Sequence, residues 1–317
     1  MRACLAVLLL LLVVYPAMPD EPVIPTSQAG SGRIESALLR CVVKIEAPAT
    51  VRAPEALGGT GFIVSRETQS GGRKERLLFL ITNKHMIGDW TRADGDIVEY
   101  RPYLRVFFYG GPGGAVTPIS VPLLDESGVL LKNRVRLAAD PHVDVAAVLL
   151  NDVPPSNPPL EFNHFDVSYL LAFDRITASL TGLGDQVFAL GYPHGVTSSR
   201  TSYPIAKAGY LATSPGETFA ITLRQQSRNG RETPVTLEGK ILVIDGLIMP
   251  GNSGSPVVLP SELKIRRDPV SNALQFADRQ TKNFVIGIVS ELLPGSGLTL
   301  CFSSDYILDL VGSSPGN

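Results

Sequence analysis

The chain has 317 residues, with 28 Lys+Arg against 30 Asp+Glu and a formal net charge of −2. That balance excludes a general nucleic-acid binder, which needs a basic field to displace phosphate counterions. Apolar residues at 44% exclude extended disorder, and the 30 Gly and 25 Pro between short β-branched runs point to a turn-rich, mostly β chain of about two domains.

In chain order, Met1-Arg2 precedes an apolar run, Leu5 to Val14, and then Pro16. A positive start with a short apolar stretch reads as a signal peptide over residues 1–17, destined for a secreted or periplasmic protein. The run is short for a membrane span, which needs about 20 apolar residues; the alternative is an uncleaved anchor, because Tyr15 is bulky for a cleavage site. Residues 18–39 read as a linker and short helix. The first strand set is Cys41–Glu46, Thr60–Ser65, Leu77–Thr82, Leu104–Tyr109, Ile119–Leu124, Val135–Ala138 and Val143–Leu150. Together these make a first β unit over residues 40–151. The proline-rich break Asn151–Pro159 opens a connection over 152–180, with a short helix expected at Phe165–Ala172. The second unit, 181–317, holds Gln186–Gly191, Ile205–Thr213, Phe219–Leu223, Lys240–Ile244, Ser255–Leu259, Phe284–Ser290 and Leu298–Phe302, then a helix over Asp305–Val311. Residues 67–75 and 225–234 read as exposed hairpin loops. Two similar β halves of this kind predict an all-β fold of two six-stranded antiparallel barrels packed side by side with a short C-terminal helix.

Beyond the leader region, the cysteines are Cys41 and Cys301. They either pair in an oxidising compartment or stay as two buried thiols. Neither has a metal-ligand partner at the usual spacing, so no metal site is expected.

The residues with chemistry to offer are few. Ser253 is bracketed by glycines in Pro250-Gly251-Asn252-Ser253-Gly254-Ser255-Pro256, between two apolar strands. Such a loop presents backbone N–H groups to a carbonyl, or is simply a Gly/Asn turn. An α/β-hydrolase elbow is excluded on order, since its histidine follows the serine and the last histidine here is His194. His85 follows the strand that ends at Thr82, where a base would face a cleft. His142 and His164 read as surface loop residues, and His194 as a turn residue near the cleft. Asp144 heads an apolar run, so its carboxylate is at least partly buried and needs a partner. The order His85, Asp144, Ser253 draws its members from both halves.

The segments GGTGFIVS (58–65), ITNKH (81–85), VDVAAVL (143–149), GYP (191–193), DGLIMPGNSGSP (245–256) and VIGIVS (285–290) resemble trypsin-like serine peptidases of the chymotrypsin fold, nearest to the bacterial HtrA/Deg-like branch. The likeness spans about residues 40–311. It implies His85 as general base, Asp144 as its orienting acid and Ser253 as nucleophile. The N–H groups of Gly251 and Ser253 would be the oxyanion hole, and Ser290 would lie on the cleft-lining strand. The same resemblance implies that Leu247, six positions before Ser253, would fall at the base of the primary specificity pocket. A leucine there cannot neutralise Lys or Arg, so cleavage after small or medium apolar residues is expected.

Departures from the family are also visible. Ser255 stands where the HtrA-like pattern has Gly, and Val289 stands where glutamyl endopeptidases carry a His, so acidic specificity is not expected. No PDZ-sized region is expected after the last strand, and no Ile-Val-Gly-Gly activation start is present. The resemblance implies polypeptide substrates, no cofactor and no metal, and leaves the oligomeric state unassigned. The alternatives of another class are a catalytically silent peptide-binding module on the same fold and an anchored structural protein.

Overall fold

The computed structural model describes residues 34–312, apart from 53, 109–117, 152, 154–162, 179–180, 198–201, 247, 262–264, 268–270, 272–273, 277–281 and 294. The expected leader, and the linker up to residue 33, therefore lie outside the described residues. Among the described residues, no helix is long and apolar enough to cross a membrane.

The first half runs α1 (Ser36–Leu39), β1 (Val42–Ala47), β2 (Leu57–Ser70), β3 (Arg73–Thr82), α2 (Lys84–Ile87), β4 (Gly88–Trp90), β5 (Ile97–Tyr100), β6 (Tyr103–Phe107), β7 (Pro118–Pro122), β8 (Val135–Leu137) and β9 (Ala146–Leu149). A connection of β10 (Phe165–Asp166), a 3₁₀ turn (Val167–Tyr169) and α3 (Phe173–Ala178) follows. The second half holds β11 (Gln186–Gly191), a 3₁₀ turn (Pro193–Gly195), β12 (Ile205–Leu211), β13 (Phe219–Gln226), β14 (Glu232–Gly239), β15 (Ile241–Asp245) and β16 (Pro256–Leu259). It ends with β17 (Ile265–Arg267), β18 (Leu274–Phe276), β19 (Phe284–Leu292), β20 (Leu298–Ser303) and α4 (Ser304–Gly312).

The fold is mostly β in two halves, as the strand pattern predicts. The second half closes as a six-stranded antiparallel barrel in the order β11-β12-β15-β20-β19-β16. Its inner strands are continuous apolar runs, such as Ile241–Ile244 and Val257–Leu259, buried throughout. The first half is a half-barrel rather than a closed one: the sheet β7-β6-β1-β2-β3-β9-β8 stays open between its end strands, and β10 pairs with β2.

Three local readings change. The stretch 67–75 is not a loop, because β2 and β3 stay in register until Ser70 faces Arg73 across a tight Gly71-Gly72 turn. Likewise β13 and β14 pair from Phe219↔Gly239 to Gln226↔Glu232. Alternating burial along β13 marks it as a half-covered ribbon. The helix expected at Phe165–Ala172 starts instead at Phe173. Phe165 is drawn into parallel pairing with Val64 and packs edge-on against Phe62, ring centroids 5.9 Å apart. Asp166 then takes the Ser168 N–H on its side chain and caps a 3₁₀ turn.

One apolar cluster crosses between the halves, joining Phe62, Phe79 and Ile81 of the first sheet to Leu190, Tyr192 and Phe302 of the barrel. Each fully buried side chain of this size contributes about 1.5–3 kcal/mol. The helix α4 buries Ile307, Leu310 and Val311. Its last carbonyls are met by cations from the first half: Arg66 donates to Val311 O at 2.8 Å and Arg136 to Leu310 O at 2.6 Å. Positive charge at a helix C-terminus is favourable, so these contacts tie the chain end back to the first sheet.

Cys41 and Cys301 are both free and buried. They belong to different core clusters, Cys41 beside Leu38 and Val42, Cys301 beside Leu242 and Ile244. Burial pushes both thiols up from their ordinary value. Of the two sequence readings, a bridge and separate thiols, this arrangement holds the second.

Candidate active site

The strand β3 delivers the histidine. Its apolar end pairs with β9, Thr82 opposite Ala146, which brings the segment before β9 alongside the end of β3. Asn83 breaks the strand, and its side-chain amide donates to Asp144 O at 2.6 Å. One helical turn, α2, then places His85 over Asp144. His85 Nδ1 and Asp144 Oδ2 are 2.8 Å apart, and the His85 backbone N–H donates to Asp144 Oδ1 at 3.2 Å. Asp144 is 2% exposed and His85 26% by side chain, so the acid is sealed beneath a histidine that still reaches solvent.

Electrostatics follow from this. Burial opposes charge on His85, but the Asp144 carboxylate and its hydrogen bond outweigh it and raise the imidazole above its ordinary value. Burial likewise opposes charge on Asp144, yet His85 holds the carboxyl below its usual range. The pair thus favours an ionised acid beside a basic imidazole.

The serine comes from the turn before β16. Asn252 N–H donates to Met249 O, Gly254 N–H to Val289 O and Ser255 N–H to Asn252 O, at 3.1, 3.0 and 2.9 Å. The N–H groups of Gly251 and Ser253 have no acceptor among the described residues. The turn is locked to the first half: Thr60 N–H donates to Ser253 O at 2.9 Å and Thr60 Oγ1 to Gly251 O at 2.7 Å. Two glycines are required. Gly251 has φ +96° and Gly254 φ +87°, and a Cβ at Gly254 would lie 2.0 Å from Thr60 O. His194 adjoins the same turn, its N–H on Pro250 O at 2.7 Å.

His85, Asp144, Ser253 and Ser290 line one open cleft of about 520 Å³, between the halves. Ser290 Oγ donates to Asp144 Oδ2 at 3.1 Å. The Ser253 hydroxyl donates to Ser290 O at 3.3 Å rather than to His85. Gly251 adjoins the cleft in the serine turn, whereas Cys41 and Cys301 lie in the core. Leu247 lies outside the described residues. Ile248 and Val289, 6% and 1% exposed, supply apolar wall to the cleft.

No family model matches the chain, and no curated protein matches it. Among solved structures it is similar to the Rv3671c protease of M. tuberculosis. The active form shares 19% identity over 95% of each chain, with a TM-score of 0.47. The inactive form shares 18% identity over 91% of this chain and 98% of that one, with a TM-score of 0.43. A thermostable serine protease, AL20, from an extremophilic microorganism shares 14% identity over 89% of this chain and all of that one, with a TM-score of 0.42.

Several residues at the site were not legible beforehand. The segment carrying Asp144 is held by side chains from the stretch after β3. Lys84 Nζ donates to Asp140 O at 2.7 Å, Trp90 Nε1 to Pro141 O at 3.2 Å and Arg92 to His142 O. Thr60 is the other omission. Its neighbours Gly58, Gly59 and Gly61 were the available signal, since glycines around a buried hydroxyl mark close backbone approach. Lys84 is 3% exposed, and burial lowers its ammonium to about 8. Folding favours its neutral form, so the cost of its charge to stability is full below about 8 and fades as pH rises from there toward the ordinary 10.5.

Proposed function

We propose that this chain is a secreted or periplasmic serine endopeptidase, working through His85, Asp144 and Ser253. The observation that carries this reading is the 2.8 Å His85–Asp144 pair in the same cleft as Ser253, whose turn keeps two N–H groups unspent. The apolar run after Met1-Arg2 supports export.

A serine hydroxyl is a weak nucleophile at neutral pH and needs a base. Ser253 turns from the Ser290 carbonyl toward His85 Nε2, which takes its proton as Oγ attacks the substrate carbonyl carbon. The N–H groups of Gly251 and Ser253 donate to the oxyanion of the tetrahedral species, each worth about 3 kcal/mol. Collapse breaks the C–N bond, and His85 returns its proton to the leaving amine. Water, activated by the same histidine, then hydrolyses the acyl-enzyme. Asp144 holds the imidazole with its Nδ1 proton inward and stabilises the imidazolium.

Labelling of the wild-type chain by a fluorophosphonate, followed against pH, tests this reading. Only neutral His85 can accept the Ser253 proton, and Asp144 raises its basicity. The labelling rate is therefore expected to fall on acidification, with a midpoint above about 6.5. Absence of labelling across pH 5–9 would instead leave a silent peptide-binding module.

The side chain before the cut bond is expected to be small or medium and apolar, such as Val, Ala or Leu. The apolar wall of Ile248 and Val289 supports this, and Asp245, exposed at the end of β15, offers no buried counter-charge. A peptide-library digest read by mass spectrometry checks it. Dominant cleavage after Lys, Arg, Asp or Glu would overturn the preference while leaving the triad intact.

A further inference from the structure

Arg92 stands in the stretch after β4, where nothing in the sequence singles it out. Its side chain is 1% exposed. A guanidinium so deeply buried is unfavourable unless its donors are matched, and here they are shared over three groups. Nη2 donates to Ser290 Oγ at 2.9 Å, Nε to Glu291 Oε1 at 3.1 Å, and Nη1 to the His142 carbonyl. The Trp90 and Phe302 rings flank it, each centroid 5.4 Å away. Its own carbonyl lies 2.8 Å from His142 Nδ1, so Arg92 is bound at both ends to the segment that carries Asp144.

We propose that Arg92 is a positioning residue for the reaction, clamping β19 of the second half to the Asp144 segment of the first and holding the Ser290 hydroxyl on the Asp144 carboxylate. This rests on the peptidase reading above. The chemistry of the hydroxyl gives the reason. Ser290 Oγ accepts from Arg92, so its one hydrogen is committed to Asp144 Oδ2 at 3.1 Å, the same oxygen that His85 Nδ1 meets at 2.8 Å. The Ser290 carbonyl in turn receives the Ser253 hydroxyl. One guanidinium thus bears on the acid through a side chain and on the nucleophile through the backbone of the same residue.

Arg92 also enters the charge balance at His85. Asp144 and Glu291 favour the imidazolium there, and Arg92 opposes it. Glu291 is shared with Gln225 Nε2 at 3.3 Å from the β13–β14 hairpin. Lys84, next to His85 in the chain, turns its ammonium to the Asp140 and Pro141 carbonyls. Loss of Arg92 removes the opposing cation and leaves the Glu291 charge unscreened, and both changes make His85 more basic. A neutral staple between the halves would leave this titration unmoved, and a charged one without the fork is what Arg92→Lys supplies.

The test is an NMR titration of His85 in the Ser253→Ala chain, alone and with Arg92→Gln, Arg92→Lys or Arg92→Gln/Glu291→Gln. It is paired with kcat and KM for the same Arg92 and Glu291 variants carrying Ser253. Arg92→Gln is expected to raise the His85 midpoint by about one pH unit and shift the acid limb of kcat/KM equally. The double variant, having lost both charges, is expected to return toward the parent. Arg92→Lys keeps the charge but not the fork that reaches Ser290 and Glu291 together, so its midpoint stays near the parent while kcat falls about tenfold at little-changed KM. An unmoved midpoint in folded Arg92→Gln, or parental kcat in Arg92→Lys, overturns the proposal. If Arg92→Gln does not fold, the kcat of Arg92→Lys decides alone. A parent chain that neither labels nor turns over defeats the peptidase reading, and the titration still judges Arg92.

Discussion

Ser253→Ala is expected to abolish fluorophosphonate labelling and lower kcat by about 10⁶, the loss seen when a serine nucleophile of this kind is removed. The N–H groups of Gly251 and Ser253, proposed for the oxyanion, survive the change, because they belong to the backbone of the turn. That turn is held by Thr60, Met249 and Val289 rather than by the hydroxyl. The hydroxyl makes one long contact, 3.3 Å to Ser290 O, so its loss costs stability about 1 kcal/mol or less. Thermal unfolding alongside the kinetics checks both halves of the expectation. Turnover within tenfold of the parent would remove Ser253 from the mechanism.

Asp144→Asn is expected to lower kcat by about 10⁴, equivalent to about 5.5 kcal/mol in the barrier. The geometry says why an almost isosteric change is so damaging. Oδ1 receives the His85 backbone N–H, a donor that cannot reverse. The asparagine oxygen must therefore sit there, and its NH₂ takes the place of Oδ2, facing His85 Nδ1 and Ser290 Oγ. The ring nitrogen at Nδ1 is then forced to accept, its proton moves to Nε2, and the base no longer has a lone pair for Ser253. The tautomer is readable from the ring-nitrogen shifts in the same variant. A loss below tenfold, or a retained Nδ1 proton, would show that Asp144 does not set the tautomer.

The all-β character and the two halves could be read from the chain, and His85, Asp144 and Ser253 stood out there as candidates because each leaves a local signature; the fold brings the three to one cleft. Short apolar runs between Gly and Pro mark strands. A serine between glycines marks a turn with free N–H groups. A carboxylate heading the run Val145–Leu150 marks a buried acid in need of a partner. Local signals failed where pairing competes with propensity. The 165–172 segment reads as a short helix in the connection, yet Phe165 joins β2 and packs on Phe62. The 67–75 stretch is polar, yet the β2–β3 ladder carries it on to Gly71-Gly72.

Barrel closure was beyond the sequence as well, because strand pattern records which residues are buried and not whether the last strand meets the first. The second half closes and the first does not. Arg92, Lys84 and Thr60 belong to the same class. Each looks like an ordinary exposed residue by type, and each is buried only because distant segments, 140–144, 251–253 and 290–291, come together around its polar atoms. Which acceptors surround a buried cation is settled by long-range packing, so the residue types at the site were written in the chain, while the partners that orient them and balance their charge came into being only with the fold.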